Sequence, residues 1–296
     1  MNTNTPHSAL PGPGQIKRVI FPACQNLPVW IYRPKHDLYK PQAIVAVHGI
    51  SRNSQQQVQA YAGLAEEHGL WLLAPEFDKA QFPGYQRLAK TAQAARADLA
   101  LNTLLIAFRG LRQQPELKIH LCGYSGGAQF AHRYAYLHPY NLASLTLVSA
   151  GWYTLTDEQT DYPLGTGDWP KWQGPLRLND FLKIPAFVMV GSQDIRREKS
   201  LRQDTRVDHQ QGLNRLQRAH TWVETTNRAK QTQGLTPDIR LCLMPNQRHD
   251  FQKNVQDSDM LFQISHFWYQ IEGNYDENLS PITGWRARAD AVRLSG

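Results

Sequence analysis

Three side chains that together can open a carbonyl compound occur in this chain, each just after an apolar run. Ser125 sits in Gly123-Tyr124-Ser125-Gly126-Gly127, behind Ile119-His120-Leu121-Cys122. Asp194 closes Gly191-Ser192-Gln193-Asp194, behind Ile184 to Val190. His249 ends Pro245-Asn246-Gln247-Arg248-His249, behind Ile239 to Met244. A serine hydroxyl is a weak nucleophile at neutral pH and needs a base to take its proton, a task suited to a histidine. The histidine in turn needs an acceptor on its other ring nitrogen, to fix the tautomer and stabilise the imidazolium. Asp194 can supply that acceptor. A Gly-x-Ser-x-Gly turn between strand and helix holds its serine at the apex, and the glycines let strand and helix approach each other. The same five residues could form a plain β-to-α turn whose serine merely caps the helix. The partners further along the chain favour the nucleophile.

A fourth group joins them. Val47-His48-Gly49-Ile50-Ser51 follows the apolar run Ala43 to Val47. The backbone N–H of Ile50 or Ser51 is expected beside that of Gly126, and two such donors would hold the oxyanion of a tetrahedral intermediate. Ile50 and Gly126 are the assigned pair, with His48 bracing the loop. Asp204, Asp208 and Asp250 are rival acids, but Asp194 lies where a strand's carboxyl end should be. Tyr124 adjoins the serine, and Trp152 and Tyr153 directly follow a strand end. These three are the candidate substrate-pocket residues. Arg52, Arg196 and Arg197 could meet an anionic substrate or simply face water.

The elements that must position these groups read as follows. Ile16 to Phe21 and Leu27 to Tyr32 are short strands. Continuous apolar runs at 43–47, 70–76, 119–124, 142–150, 184–190 and 239–244 are strands buried on both faces. Helical periodicity covers 54–68, Ala92 to Leu111, 126–137, 208–231 and about 255–272. Ala95, Leu99, Leu101, Leu104, Leu105 and Phe108 form the packing face of the second of these helices, and Leu213, Leu216, Ala219, Trp222 and Val223 that of the fourth. Strands alternating with helical crossovers require a mostly parallel sheet with helices on both sides, a three-layer α/β/α fold. In such a sheet ligands bind beyond the carboxyl ends of the strands, which is where the four groups fall. Residues 152–184 interrupt the alternation. They hold Trp152, Tyr153, Tyr162, Trp169 and Trp172 among glycines and prolines. Long loops in compact domains tend to be functional, so this segment is read as a small cap or pocket wall; the bland alternative is an irregular surface loop pinned by its aromatics.

The 296 residues are 41% hydrophobic and 10% aromatic, enough for a sizeable core. Residues 1–14 read as a flexible leader, 15–272 as one domain, and 273–296 as a C-terminal tail. The net charge is +7, but the basic residues are scattered without a long run interleaved with aromatics. A solvated face is expected rather than a nucleic-acid surface. Three cysteines, Cys24, Cys122 and Cys242, make an odd, widely spaced set that argues against a disulfide framework. The N-terminus has no secretory pattern, and no window reaches the ~18 apolar residues of a membrane span. A cytoplasmic protein without a membrane span is expected. His120 and His132 read as packing or surface residues. His209, His220 and His266 form no i, i+4 pair and there is no C-x-x-C, so neither a metal nor another cofactor is expected.

In its motifs Val47-His48-Gly49, Gly123-Tyr124-Ser125-Gly126-Gly127, Gly191-Ser192-Gln193-Asp194 and the His249 loop, the chain resembles a serine hydrolase of the α/β-hydrolase superfamily. It is most similar in style to the esterase, polyhydroxybutyrate-depolymerase-like and dienelactone-hydrolase-like branches. The order nucleophile, acid, base is that of the superfamily. The resemblance spans about residues 15–272. It implies an eight-stranded, mostly parallel sheet with an antiparallel second strand, and hydrolysis of a small-molecule ester. Amide or peptide cleavage and acyl transfer use the same groups. A binding protein that keeps the fold without turnover is the reading from another class. Substrate identity and oligomeric state are not legible in the sequence.

Overall fold

The computed structural model describes residues 10–273. The expected tail, apart from Gly273, and the first nine residues of the expected leader lie outside the described residues. The remainder of that leader is held in place: Pro11 is buried, and the Gly14 N–H donates to Arg33 O at 2.8 Å.

Eight strands form one sheet: β1 (Ile16–Phe21), β2 (Leu27–Tyr32), β3 (Gln42–Val47), β4 (Trp71–Pro75), β5 (Lys118–Tyr124), β6 (Leu142–Val148), β7 (Ala186–Gly191) and β8 (Arg240–Met244). Their order across the sheet is β1-β2-β4-β3-β5-β6-β7-β8. β2 runs antiparallel to both neighbours, and every pair from β4 to β8 is parallel. This is the eight-stranded, mostly parallel sheet expected, with its second strand reversed. The crossovers carry α1 (Ser54–His68), α2 (Ala97–Arg112), α3 (Gly126–Leu137), α4 (Leu178–Phe181), α5 (Thr205–Gln211) and α6 (Arg215–Thr232); α7 (Phe251–Asp257) and α8 (Met260–Ile271) follow the last strand.

Alternation along β3 shows how the layers are built. Ala43, Val45 and Val47 enter the core under α2, α3 and α6, while Ile44 and Ala46 enter the core under α1 and α8. Strand side chains point alternately to opposite faces, so a strand covered on both sides must be apolar throughout. Trp222 lies fully buried in the first core and Trp268 in the second.

Several helices depart from the expected spans for identifiable reasons. The helix expected from Ala92 begins at Ala97, where Arg96 turns extended and the Ala97 N–H donates back to Leu88 O at 2.8 Å. Leu99, placed in its packing face, is 45% exposed. The helix expected over 208–231 is two helices. Gly212 at φ 104° ends α5, and the Asn214 side chain caps α6 by accepting from the Gln217 N–H. Leu213 falls in that link and is 52% exposed, so it leaves the packing stripe. The last expected helix likewise breaks, at Ser258, into α7 and α8.

Residues 152–184 run over α3 and the start of α2. Arg177 N–H donates to Tyr136 O at 2.8 Å, the Tyr136 hydroxyl donates to Thr154 O at 2.7 Å, and Arg96 Nη1 donates to Trp172 O at 2.7 Å. Among the described residues no helix is long and apolar enough to cross a membrane.

Candidate active site

β5 delivers Ser125 to the sheet's carboxyl edge, and α3 begins at once. The serine has φ 53° and ψ −110°, a left-handed conformation that side chains rarely adopt. Its N–H donates to Val148 O at 2.8 Å, tying the turn to β6. The turn is tight enough that a Cβ on Gly123 would lie 2.4 Å from Gly127 O. Ser125 does not cap α3 with its side chain, so the capping alternative does not describe this serine.

The hydroxyl is engaged elsewhere. Ser125 Oγ lies 3.0 Å from His249 Nε2, and His249 Nδ1 lies 3.0 Å from Asp194 Oδ2. An ionised carboxylate only accepts hydrogen bonds, so Nδ1 carries the imidazole proton and Nε2 is free to accept from the serine. The three residues come from the ends of β5, β7 and β8, 124 and 55 residues apart. The rival acids have other partners. Asp204 caps α5 and pairs with Arg202, Asp208 pairs with Arg197 and Arg218, and Asp250 caps α7.

Ile50 and Gly126 lie side by side. A Cβ on Gly126 would lie 3.2 Å from Ile50 N and 2.6 Å from the Tyr85 hydroxyl. The first N–H groups of a helix have no intrahelical acceptor, so the start of α3 presents donors here. The loop bearing Ile50 is held from behind. His48 Nδ1 donates to Gly49 O at 2.8 Å and Nε2 accepts from the Phe77 N–H at 3.0 Å. Burial pushes His48 down to about 4, since the charged ring would be desolvated. Arg52 is engaged within the protein: its guanidinium donates to Phe77 O and Phe82 O and lies over the Tyr85 ring. Arg196 and Arg197 are exposed, and Arg197 pairs with Asp208.

The three aromatic candidates divide. Tyr124 stacks on the His249 ring, with centroids 5.3 Å apart and planes at 18°. Trp152 is nearly buried between two cations, Arg133 at 4.3 Å and Arg202 at 4.7 Å. The expectation for Tyr153 is corrected. It is fully buried and stacks on Trp222 of α6, and its backbone N–H and C=O are both taken by the Gln211 amide. It belongs to the core under α3 and α6.

Sequence reasoning misses two residues. Tyr85, from an irregular stretch after Pro83-Gly84, donates its hydroxyl to His48 O at 2.9 Å. Arg215, 1% exposed, donates Nη1 to Asp194 Oδ1 at 3.1 Å. No periodicity flags the first, and the second meets a partner 21 residues away, beyond any local charge pattern. Among the described residues no group of three or more His, Cys, Asp or Glu side chains could hold a metal ion.

No family model matches the chain, and no curated protein sequence matches it. Solved structures do. Poly(aspartic acid) hydrolase-1 from Sphingomonas sp. KT-1 is similar at a TM-score of 0.73 and 20% identity, over 87% of this chain and 100% of that one. The poly(3-hydroxybutyrate) depolymerase LpqC from Bordetella parapertussis is similar at 0.70 and 22%, over 94% of each chain. A ferulic acid esterase is similar at 0.55 and 12%, over 87% of this chain and 97% of that one. These likenesses, with the strand order above, show the α/β-hydrolase fold.

Proposed function

We propose that this chain, built on the α/β-hydrolase fold, is a serine hydrolase that cleaves carboxylic esters of small-molecule substrates through an acyl-enzyme. Ser125 Oγ attacks the ester carbonyl while His249 Nε2 takes its proton. Asp194 orients the ring and stabilises the imidazolium. The N–H groups of Ile50 and Gly126 hold the oxyanion, each such donor contributing about 3 kcal/mol to the transition state. The tetrahedral intermediate collapses, the C–O bond to the leaving alcohol breaks, and His249 returns the proton to that alcohol. Water activated by the same histidine then releases the acid and restores Ser125.

The single observation that carries this reading is the unbroken hydrogen-bond chain from Ser125 through His249 to Asp194, with both contacts at 3.0 Å. The names of the structural relatives, an esterase and two polymer-degrading enzymes, agree with hydrolysis. Three free cysteines, two of them buried, are consistent with a reducing, cytoplasmic setting.

The test is a set of nitrophenyl esters of graded acyl length, with matched anilides beside them and a fluorophosphonate probe. The wild-type chain turns over esters faster than anilides and is labelled, and Ser125→Ala does neither. A folded wild-type chain that resists labelling would instead support a binding role, and faster anilide turnover an amidase.

A further inference from the structure

We propose that Arg215 is a positioning residue for this chemistry, holding Asp194 in one rotamer so that Oδ2 always faces His249. The inference rests on the serine-hydrolase reading above and extends it to a group outside the Ser-His-Asp set.

Three observations carry it. The ion pair is buried on both sides: the Arg215 and Asp194 side chains are 1% and 2% exposed, at 3.1 Å. The division of the carboxylate is complete, with Oδ1 on Arg215 and Oδ2 on His249 Nδ1 at 3.0 Å. The arginine also occupies an unfavourable place. It is the first residue of α6, where the helix dipole opposes a cation, and its Nε is buried without a partner. A guanidinium that serves only to close a helix or to face water would not be put there. Its remaining fork, Nη2, donates to Ser200 Oγ at 3.0 Å and so fixes the guanidinium to the loop that bears Asp194. One turn along the same helix, Arg218 clamps that region again, donating to Gly151 O, Arg202 O and Gly212 O.

The consequence follows from what a buried carboxylate does alone. Without Arg215, Oδ1 would have no partner in a site closed to water, and the group would gain by turning to share His249 between its oxygens. A rotated Asp194 no longer fixes Nδ1 as the donor, and Nε2 is then a poorer base toward Ser125. The loss falls on the chemical step, because Arg215 touches neither the serine nor the oxyanion donors.

The experiment uses the full chain with an activated short-chain nitrophenyl ester, and compares Arg215→Met, Arg215→Lys, Asp194→Asn and the double variant Asp194→Asn/Arg215→Met. In Arg215→Met, kcat falls by roughly 10- to 100-fold with KM nearly unchanged, a smaller loss than the roughly 10⁴-fold seen when the triad acid of a serine protease is made an amide. Arg215→Lys, which keeps the charge but not the fork, recovers part of that loss. In the Asp194→Asn background the Arg215→Met change costs less than about 3-fold, because both act through one carboxylate. If Arg215→Met alone does not fold, Arg215→Lys takes its corner of the cycle, and its loss in kcat should likewise shrink in the Asp194→Asn background. The proposal is overturned if Arg215→Met lowers thermal stability while kcat stays at the wild-type value, or if the two losses multiply in full in the double variant. Failure of the serine-hydrolase reading is separate, since it shows in Ser125→Ala retaining activity.

Discussion

His48 Nε2 accepts a hydrogen bond from the Phe77 N–H at 3.0 Å, joining the end of β3 to the end of β4 from inside the molecule. The Ile50 loop therefore hangs from a fully buried, neutral ring. Replacing His48 with Ala strands the Phe77 N–H and leaves a ring-sized void. The expected cost is on the order of 3 kcal/mol of stability. Turnover should fall as well, by up to about 10²-fold, as the Ile50 N–H loses its fixed place. Denaturant midpoints and kcat on one ester measure the two effects. A variant as active as the wild type would show that the loop needs no such brace.

The buried histidines also set an acid limit. Desolvation lowers His48 and His68 to about 4 and His120 to about 3, and holds His132 well below its ordinary value. In the unfolded chain the same rings titrate near 6.5. Between those values the unfolded state binds more protons than the folded one. The stability contribution is therefore complete above about pH 6.5 and is lost as the pH falls toward about 4, at about 1.4 kcal/mol per pH unit for each ring. Asp98 acts in the same sense, over a lower pH range. Its carboxyl stays below its ordinary value through Arg96 and His138 despite burial, so its contribution is lost only at still lower pH. Unfolding midpoints should drop steeply between about pH 6.5 and 5, and a flat profile there would contradict the neutral assignment of these rings.

Crowding at the proposed oxyanion site gives a coupled test. A Cβ on Gly126 meets the Tyr85 hydroxyl at 2.6 Å and Ile50 Cγ2 at 2.9 Å. Gly126→Ala should keep the fold but push the Ile50 loop away, with a loss of about 10²-fold in kcat. Tyr85→Phe alone removes one hydrogen bond to His48 O, worth about 1 kcal/mol of stability. Combining the two removes the nearest colliding atom, so the double variant should be more active than Gly126→Ala. Strict additivity of the two losses would place the collision elsewhere.

The sheet and the Ser-His-Asp placement were legible in the sequence because each depends on signals within a few residues. A doubly buried strand such as Ala43 to Val47 announces itself as an unbroken apolar run, and a polar residue just beyond it is placed by topology. Partners across the fold were not legible. Tyr153 follows a strand end as directly as Trp152 does, yet the chain turns it inward onto Trp222, and nothing in the local pattern separates the two. Arg215, inside the helix expected over 208–231, looks like any solvated arginine until the fold brings Asp194 to it. The helix breaks at Gly212 and Ser258 were hidden by apolar periodicity that continues across them.

Arg133 presents the last case, a fully buried guanidinium with no carboxylate partner among the described residues. It donates to Thr154 Oγ1, Gln86 O and Gln129 O, each at 2.9 Å, and Trp152 covers its face at 4.3 Å. Desolvation is its dominant influence and brings it down to about 10. The planar fork presents its donors in a fixed, wide geometry that a compact ammonium does not reproduce. Arg133→Lys would keep a buried cation while losing most of these bonds, at an expected cost of about 2–4 kcal/mol. Arg133→Met removes the desolvated charge together with the bonds and should be milder than the lysine. Trp152→Ala, which uncovers the guanidinium and leaves a cavity, should cost about 3–5 kcal/mol. The ordering of the two Arg133 variants in thermal melts decides the point. If lysine proves the milder change, charge rather than fork geometry holds this corner together.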